Sequence, residues 1–135
     1  MYLLDSCTCI DIMRGRLPYA YDLMRKSDPS SFKIPAIVAA ELFFGAENST
    51  RIAENRLLVE RLLQPYEILP FDATCAVVYG AIRNELKRKG RTIGPNDLLI
   101  AATAMANHGI LVSRNVKEFK RIPGLRLETW HDINL

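Results

Sequence analysis

The chain has 135 residues, of which 49% are hydrophobic and 24% are charged, and its formal net charge at pH 7 is +3. These values are typical of a single domain with a full-sized core, which we expect to span residues 1–135. Asp5 interrupts the apolar start too early for a signal peptide, and the longest uncharged run, Leu98–Ser113, is shorter than a membrane span. We therefore expect a soluble, cytoplasmic protein with no membrane partner.

The first predicted strand is Tyr2–Leu4, and Asp5 stands at its carboxyl end. Ser6 or Thr8 is expected to cap the helix that follows, and Gly15 is expected to end it. Asp5 taken alone is as typical of a helix cap as of a metal ligand, so both interpretations stay open. That helix is predicted over Cys9–Met13. Further helices are predicted over Tyr19–Lys26, over Arg51–Leu63 and from Asp72, its expected cap, to about Lys89; strands are predicted over Phe32–Ile34, Tyr66–Leu69 and Leu125–Glu128, and Trp130 is expected to pack the end of the chain down.

Glu41 lies inside an otherwise unbroken apolar run, Ile37–Phe44. We predict that Pro35 opens this helix, because a proline at the first helical position loses no hydrogen bond there. The ionised form of Glu41 is costly among apolar neighbours unless another group compensates it. A solvated Glu is usually flanked by polar residues at helical spacing, so we interpret Glu41 as a functional residue.

A later stretch predicts a buried helix that carries a carboxylate at its start. Gly94 is a suitable cap and Pro95 a suitable first helical residue, which places Asp97 in the first turn. The rest of this helix is almost free of charge and is therefore predicted to be buried. Gly109 is expected to end it, and Ile110–Val112 is predicted as a short buried strand.

Strands and helices alternate along the chain, which indicates an α/β fold with a mainly parallel sheet. Ligands bind such sheets at the carboxyl ends of the strands. We therefore expect four distant side chains to meet at that edge: Asp5, Glu41, Asp97 and Asn115. Their carboxylate and amide oxygens suit a hard cation such as Mg²⁺ or Mn²⁺.

Two runs of basic residues flank the acidic stretch around Asp97. A single run of this kind is commonly a solvated face. Two runs beside one group of acids suit a polyanionic substrate, and we predict that they hold RNA phosphates. The candidate nucleic-acid-binding residues are Lys87, Arg88, Lys89, Arg91, Arg114 and Lys117.

The remaining residues with reactive side chains give no catalytic pattern. Cys7, Cys9 and Cys75 include no C-x-x-C pair, so we expect reduced thiols near the core. A metal site at Cys7 and Cys9 is the weaker interpretation, because two thiolates do not complete a tetrahedral shell. His108 and His131 are interpreted as ordinary surface or helix-end residues.

Four segments carry the four candidate site residues described above: Leu3–Ser6, Ala40–Ala46, Gly94–Ala102 and Val112–Phe119. They resemble the motif blocks of PIN-domain ribonucleases, specifically the VapC toxins of bacterial toxin–antitoxin pairs. The blocks occur in the family's order and at compatible spacing across nearly the whole chain. Each block is a weak signal alone, whereas all four together are a strong one.

The resemblance implies a three-layer, Rossmann-like PIN fold and Mg²⁺- or Mn²⁺-dependent endonucleolytic cleavage of RNA, which inhibits translation. It also implies homodimers and a cognate VapB-like antitoxin whose C-terminal segment covers the site. Asp5, Glu41 and Asp97 match the family's three acids and are expected to bind the metal directly or through water. Ser113 and Asn115 are expected to orient a metal-bound water.

The chain departs from the family pattern at two places. The family usually has Thr-Asn or Thr-Asp after the first acid, whereas this chain has Ser6 and Cys7. Ser6 keeps the hydroxyl, but Cys7 offers no amide or carboxylate. Asn115 stands where many relatives have Asp, so it is at best a neutral ligand. Because this position lacks a negative charge, a site with one metal ion and a site with two remain alternatives.

Two alternatives from other functional classes stay open. An α/β domain with an acidic pocket also suits a receiver that accepts a phosphoryl group on Asp, but no acceptor Asp ends a middle strand here. A catalytically silent RNA-binding module is the second alternative, and the three intact acids argue against it.

Overall fold

The computed structural model describes residues 1–131. Its strands are β1 (Tyr2–Leu4), β2 (Phe32–Pro35), β3 (Glu67–Leu69), β4 (Ile110–Val112) and β5 (Leu127–Glu128). Its helices are α1 (Ser6–Met13), α2 (Pro18–Lys26), α3 (Ala36–Glu47), α4 (Ile52–Leu63), α5 (Ala73–Arg88), α6 (Pro95–Ala106) and α7 (Val116–Phe119), with a 3₁₀ turn at Pro29–Ser31.

The strands form one sheet in the order β3-β2-β1-β4-β5, and every adjacent pair is parallel. The chain builds outward from β1 to β3 on one side and then crosses back to build β4 and β5 on the other. The three-layer α/β fold expected from the sequence is confirmed. The direction of strand order changes at β1, and ligands bind parallel sheets at such a switch point.

Strands β1 and β4 at the centre of the sheet are buried except at their first residues, Tyr2 and Ile110, which are partly buried. Leu3, Leu4, Leu111 and Val112 are all 0% exposed, as expected for strands covered on both faces. Helix α6 is buried around most of its circumference, which confirms the prediction from its nearly uncharged sequence. The centre of the sheet is therefore a rigid support for the residues that follow β1 and β4.

Two predicted helix starts are wrong. Helix α1 begins at Ser6 and is capped by Asp5, whose Oδ1 accepts a hydrogen bond from the Ser6 backbone N–H, so neither Ser6 nor Thr8 is the cap. Pro35 does not open α3 but ends β2, because its extended backbone continues the pairing with β3. The predicted cap of α5 is confirmed, since Asp72 accepts from the Cys75 backbone N–H.

The end of α6 also differs from the prediction. His108, with a φ of 54°, takes the left-handed position there, and its helix-end interpretation is confirmed. Backbone bonds from His108 N–H to Met105 and from Gly109 N–H to Ala104 close the helix. Gly109 is needed for another reason: a Cβ at this position would overlap the Leu3 Cδ1 methyl of β1. The glycine therefore allows β4 to start close against β1.

Other expectations are confirmed at the edges of the core. Trp130 is 2% exposed and its ring contacts those of Tyr2 and Phe32 edge-on. The three cysteines are free thiols, with Cys9 and Cys75 buried. None of the helices within residues 1–131 has the length and apolar character that a bilayer span requires.

We expect Gly109→Ala to lower the free energy of unfolding by about 1–3 kcal/mol, because the added methyl group overpacks a buried contact with Leu3. Thermal and denaturant unfolding measure the change. Gly80→Ala in α5 is the matched control, since a Cβ there meets no atom within 4 Å. Equal stability of wild type and Gly109→Ala would contradict the close approach of β1 and β4.

Candidate active site

Asp5 lies at the carboxyl end of β1 and is only 4% exposed. Its two carboxylate oxygens have different partners. Oδ1 accepts from the Ser6 backbone N–H at 2.8 Å, and Oδ2 accepts from the Ser113 hydroxyl at 2.6 Å. Ser113 directly follows β4, which pairs with β1, so the sheet itself brings these two residues together. Asp5 is therefore both a helix cap and a side chain of the candidate site.

Ser113 also supports the loop that follows β4. Its hydroxyl oxygen accepts from the Asn115 backbone N–H at 2.9 Å while its proton goes to Asp5. The half-buried Cys7 thiol lies 3.4 Å from Asp5 Oδ2, and burial, followed by the charge of Asp5, raises the pKa of this thiol. A cleft of about 350 Å³ opens here, and it is lined by Asp5, Ser6, Cys7, Asp97, Arg114 and Asn115.

Asp97 faces this cleft from the first turn of α6. Its pKa is raised from 3.8 to about 6, first because the carboxyl group is partly desolvated. The negative charges of Asp5, Glu118 and Glu41 add to the increase. The structure thus brings Asp5 and Asp97 into one cleft and places two further carboxylates within electrostatic range.

Glu41 lies on α3, beside this cleft but outside its lining. Its Oε1 is buried and has no hydrogen-bond partner among residues 1–131, and its Oε2 lies 3.5 Å from Asn96 Nδ2. Buried carboxylate oxygens are almost always satisfied, so an unpaired one indicates a partner that the protein alone does not supply. Glu41 lines a separate cavity of about 230 Å³ that lies against α1 and α4.

Asn115 is placed at the cleft, but its amide is engaged elsewhere. The side chain is exposed, and Nδ2 donates to Glu118 Oε2 at 2.7 Å. Glu118 Oε1 accepts from the Gly94 backbone N–H at 3.2 Å, directly before the helix of Asp97. These two bonds hold the pKa of Glu118 below its usual range. With Asp5, Glu41 and Asp97 itself, Glu118 is therefore the fourth carboxylate of this region. Asn115 fixes its position.

The sequence interpretation gave Glu118 no role. A usable signal was present, because residues three apart share a helix face and Glu118 follows Asn115 by three positions. His131, interpreted from the sequence as an ordinary surface or helix-end residue, makes a contact that this interpretation did not include. Its side chain is 21% exposed, and its Nε2 lies 2.8 Å from Oδ2 of the buried Asp11.

The oxygen atoms that the site residues offer are of the kind that binds a hard divalent cation. The site offers carboxylate oxygens, a raised pKa at Asp97 caused partly by mutual repulsion, and an unpaired buried oxygen on Glu41. Within residues 1–131, no three carboxylate, thiol or imidazole side chains converge closely enough to bind one ion. Mg²⁺ commonly binds through one or two carboxylates and keeps several waters, so such a site does not need a closed protein shell.

The predicted basic residues are distributed unevenly around the site. Arg114 lines the cleft, and Lys117 is exposed on α7. Lys87 lines a separate cavity of about 740 Å³ between α5 and α6, and Lys89 pairs with Glu85 on its own helix at 3.1 Å. Arg114 lines the cleft with the acids, whereas the exposed residues Lys87, Arg88, Lys89 and Arg91 do not.

Comparison with known proteins identifies one family. The model of the PIN domain matches residues 2–125. The chain is 40% identical to ribonuclease VapC2 of Rickettsia felis, with 96% of this chain and 98% of that protein covered. It is 36% identical to the tRNA(fMet)-specific endonuclease VapC of Salmonella typhimurium, with 96% and 97% covered.

Solved structures give the same result. VapBC2 from Rickettsia felis, bound to a DNA fragment from its promoter, matches with a TM-score of 0.88 and 39% identity, covering 96% of this chain and 98% of that one. DNA-bound VapBC from Salmonella typhimurium matches with a TM-score of 0.90 and 35% identity, covering 96% and 97%.

The raised pKa of Asp97 predicts how stability depends on pH without metal. Between about pH 4 and about pH 6 the folded protein retains a proton that the unfolded chain releases, so stability falls as the pH rises through this range. Asp97→Asn lacks this titration. In EDTA the variant should therefore unfold at a higher temperature than wild type above about pH 6 and at a similar temperature below about pH 4.

Thermal unfolding across this pH range measures the difference. Asp22→Asn is the matched control, because Asp22 is an exposed aspartate whose partner is Lys26 on the same helix. The control should not show the increase in unfolding temperature at high pH. If Asp97→Asn were no more stable than wild type near pH 7, the repulsion among the carboxylates would be absent.

Proposed function

This chain belongs to the PIN domain family, among the VapC ribonucleases, and we propose that it is a divalent-metal-dependent endoribonuclease, the toxin of a toxin–antitoxin pair. One observation carries the proposal: Asp5 and Asp97, far apart in sequence, share one cleft and electrostatically repel each other there. Such repulsion opposes folding of the metal-free protein, and a bound cation relieves it. Cleavage of cytoplasmic RNA would inhibit translation.

Each site residue has a distinct part in the proposal. Asp5, Asp97 and Glu41 hold Mg²⁺ or Mn²⁺ directly or through water. Ser113 fixes the orientation of the Asp5 carboxylate by donating to Oδ2. When bound, the ion supplies Lewis acidity for in-line attack of water on a phosphodiester and stabilises charge on the leaving oxygen.

Asn115 has a second part besides the water-orienting one that the resemblance implies. Since its amide N–H donates to Glu118, it restrains a carboxylate near Asp97 instead of acting as the fourth acid itself. The Asn115 amide oxygen remains available to orient a water in the cleft that this residue lines. Glu118 adds negative charge, which increases the attraction of the site for a cation.

Replacing the acids tests the proposal. Asp5→Asn, Glu41→Gln and Asp97→Asn should each lower RNA cleavage at least about a hundredfold, because each nearly isosteric change removes a negative charge that would hold the metal ion, and the ion is what stabilises the transition state. Transfer RNA for the initiator methionine, named for the Salmonella relative, is the first substrate to test. Cleavage is measured on labelled RNA with Mg²⁺, with Mn²⁺ and with EDTA.

Matched controls separate loss of function from loss of fold. Glu47→Gln and Asp22→Asn carry the same chemical changes on exposed side chains and should cleave like wild type. Full cleavage by any two of the three site variants would refute the site assignment. RNA binding without metal-dependent cleavage by wild type would instead support the silent RNA-binding module.

The antitoxin partner is part of the same proposal. The solved VapBC structures named above are complexes. In this chain the cavity beside Glu41 and a larger one of about 870 Å³ share the lining residues Met13 and Leu58, so the two cavities adjoin. We call them together the groove, in which Tyr19 and Tyr21 line the larger cavity and Glu41 lines the smaller one. We propose that a C-terminal segment of a VapB-like antitoxin occupies this groove and so reaches the catalytic cleft.

Leu58→Asp should weaken the antitoxin complex while leaving RNA cleavage by the free toxin unchanged. Leu58 is 46% exposed, so the added charge enters the groove and not the core. Leu57→Asp, on the same helix and 45% exposed but outside the groove lining, is the matched control. Co-purification and titration with the antitoxin measure the effect. Equal weakening by both variants would argue against this groove.

The homodimer stays a prediction of the resemblance. A second copy would have apolar surface to cover, since Phe44 on α3 and Val77 on α5 are 68% and 75% exposed. Exposed large apolar side chains of this kind are common at interfaces when they form part of a contiguous patch.

A further inference from the structure

Asp11 is a buried carboxylate that the proposed chemistry does not use. It lies in the last turns of α1 and is 3% exposed. The carboxyl-terminal end of a helix carries partial negative charge, so an anion is unfavourable there. Burial of the charge adds a desolvation cost. A residue kept at such a position needs strong partners to remain ionised.

Three basic side chains supply those partners. Arg16 Nη1 donates to Asp11 Oδ1 at 3.1 Å, and Arg114 Nη1 donates to Oδ2 at 3.0 Å. His131 Nε2 lies 2.8 Å from the same Oδ2. Burial alone would raise the pKa of Asp11, but the hydrogen bonds from His131 and Arg16 and the charge of Arg114 outweigh it, and the pKa is lowered. Asp11 is therefore ionised at neutral pH.

One of these partners belongs to the catalytic cleft. Arg114 lies between Ser113 and Asn115, and it lines the cleft with Asp5 and Asp97. Its side chain is 58% exposed, and a guanidinium has five N–H donors, so donors remain after the bond to Asp11. Arg16 and Arg114 together carry two positive charges, whereas Asp11 carries one negative charge. The cluster therefore keeps positive charge at the lip of an acidic cleft.

An acidic cleft by itself repels the phosphates of RNA, so a fixed cation beside it has a clear use. We propose that Asp11 is a positioning residue that holds Arg114 at the lip of the cleft, where the guanidinium binds a phosphate of the RNA substrate. This inference rests on the proposed ribonuclease function. An arginine fixed by a carboxylate loses less freedom when it binds phosphate than a mobile one does.

A purely structural role for Asp11 makes a different prediction. Through His131 the carboxylate also anchors the chain near its C-terminal end, so Asp11→Asn lowers stability under either role. RNA affinity separates the two roles, because only the positioning role acts through Arg114. A double-mutant cycle between Asp11 and Arg114 measures that coupling.

The cycle uses wild type, Asp11→Asn, Arg114→Gln and the double variant, each with single-stranded RNA in EDTA. Arg114→Gln should weaken binding about tenfold, since it removes a charge-assisted hydrogen bond, and should lower the salt slope by about one. Asp11→Asn should weaken binding about threefold through lost orientation. The double variant should bind no worse than Arg114→Gln alone. In metal, KM should follow these changes while kcat stays nearly constant.

Arg16→Gln is the matched control, because it removes an ion pair from Asp11 without touching the cleft, and RNA affinity should not change. Arg114→Lys keeps the positive charge but lacks the guanidinium, and it should bind RNA more weakly than wild type. This variant tests the inference if Asp11→Asn does not fold. Affinity equal to wild type in Arg114→Lys, or an equal Asp11→Asn effect with and without Arg114, would overturn the inference. Failure of wild type to cleave RNA would instead refute the proposed function.

Discussion

The carboxylate of Asp5 is held from two sides, and the arrangement of the site depends on that restraint. One oxygen accepts from the first backbone N–H of α1, and the other accepts from the Ser113 hydroxyl at the end of β4. Together these two donors fix the orientation of the carboxylate. Helix capping and participation in the site are therefore two uses of one side chain.

The other acids are placed by elements that pack on the same part of the sheet. Asp97 lies in the first turn of α6, which packs against α3, the helix of Glu41. The desolvation and like charges that raise the pKa of Asp97 also oppose folding of the metal-free protein. The buried core of β1, β4 and α6 offsets that cost. In our proposal, the same repulsion becomes attraction for a divalent cation.

The cations of the molecule divide into two groups with different environments. Those at the end of α5 are exposed on a helix end, where Lys89 already pairs with Glu85. Arg114, by contrast, is fixed by a buried carboxylate at the cleft itself. Charge density along the sequence does not distinguish these environments. A single fixed guanidinium beside the acids has more geometric specificity than a run of solvated lysines.

The amino-acid sequence by itself determined the α/β fold, the buried character of α6 and the side chains offered at the carboxyl edge, because periodicity and capping are local properties. It also predicted Asp5, Glu41 and Asp97 as site acids, through the resemblance of their motif blocks. Tertiary structure alone decided that Asp5, while capping α1, also accepts a hydrogen bond from Ser113. It also decided that Gly109 is needed for the approach of β1. These outcomes depend on contacts between residues more than a hundred positions apart.

The partners of Asp11 belong to the same class of outcome, whereas the bond from Asn115 to Glu118 spans one helical turn and is local. Asp11 meets Arg114 and His131 only after β4 has been placed beside β1 and the end of the chain has packed down. The Asn115 amide meets Glu118 because α7 turns immediately after it. Sequence spacing predicts which side chains are available at an edge of the sheet. Folding decides which hydrogen bond each one makes, because a bond depends on distances that no local pattern contains.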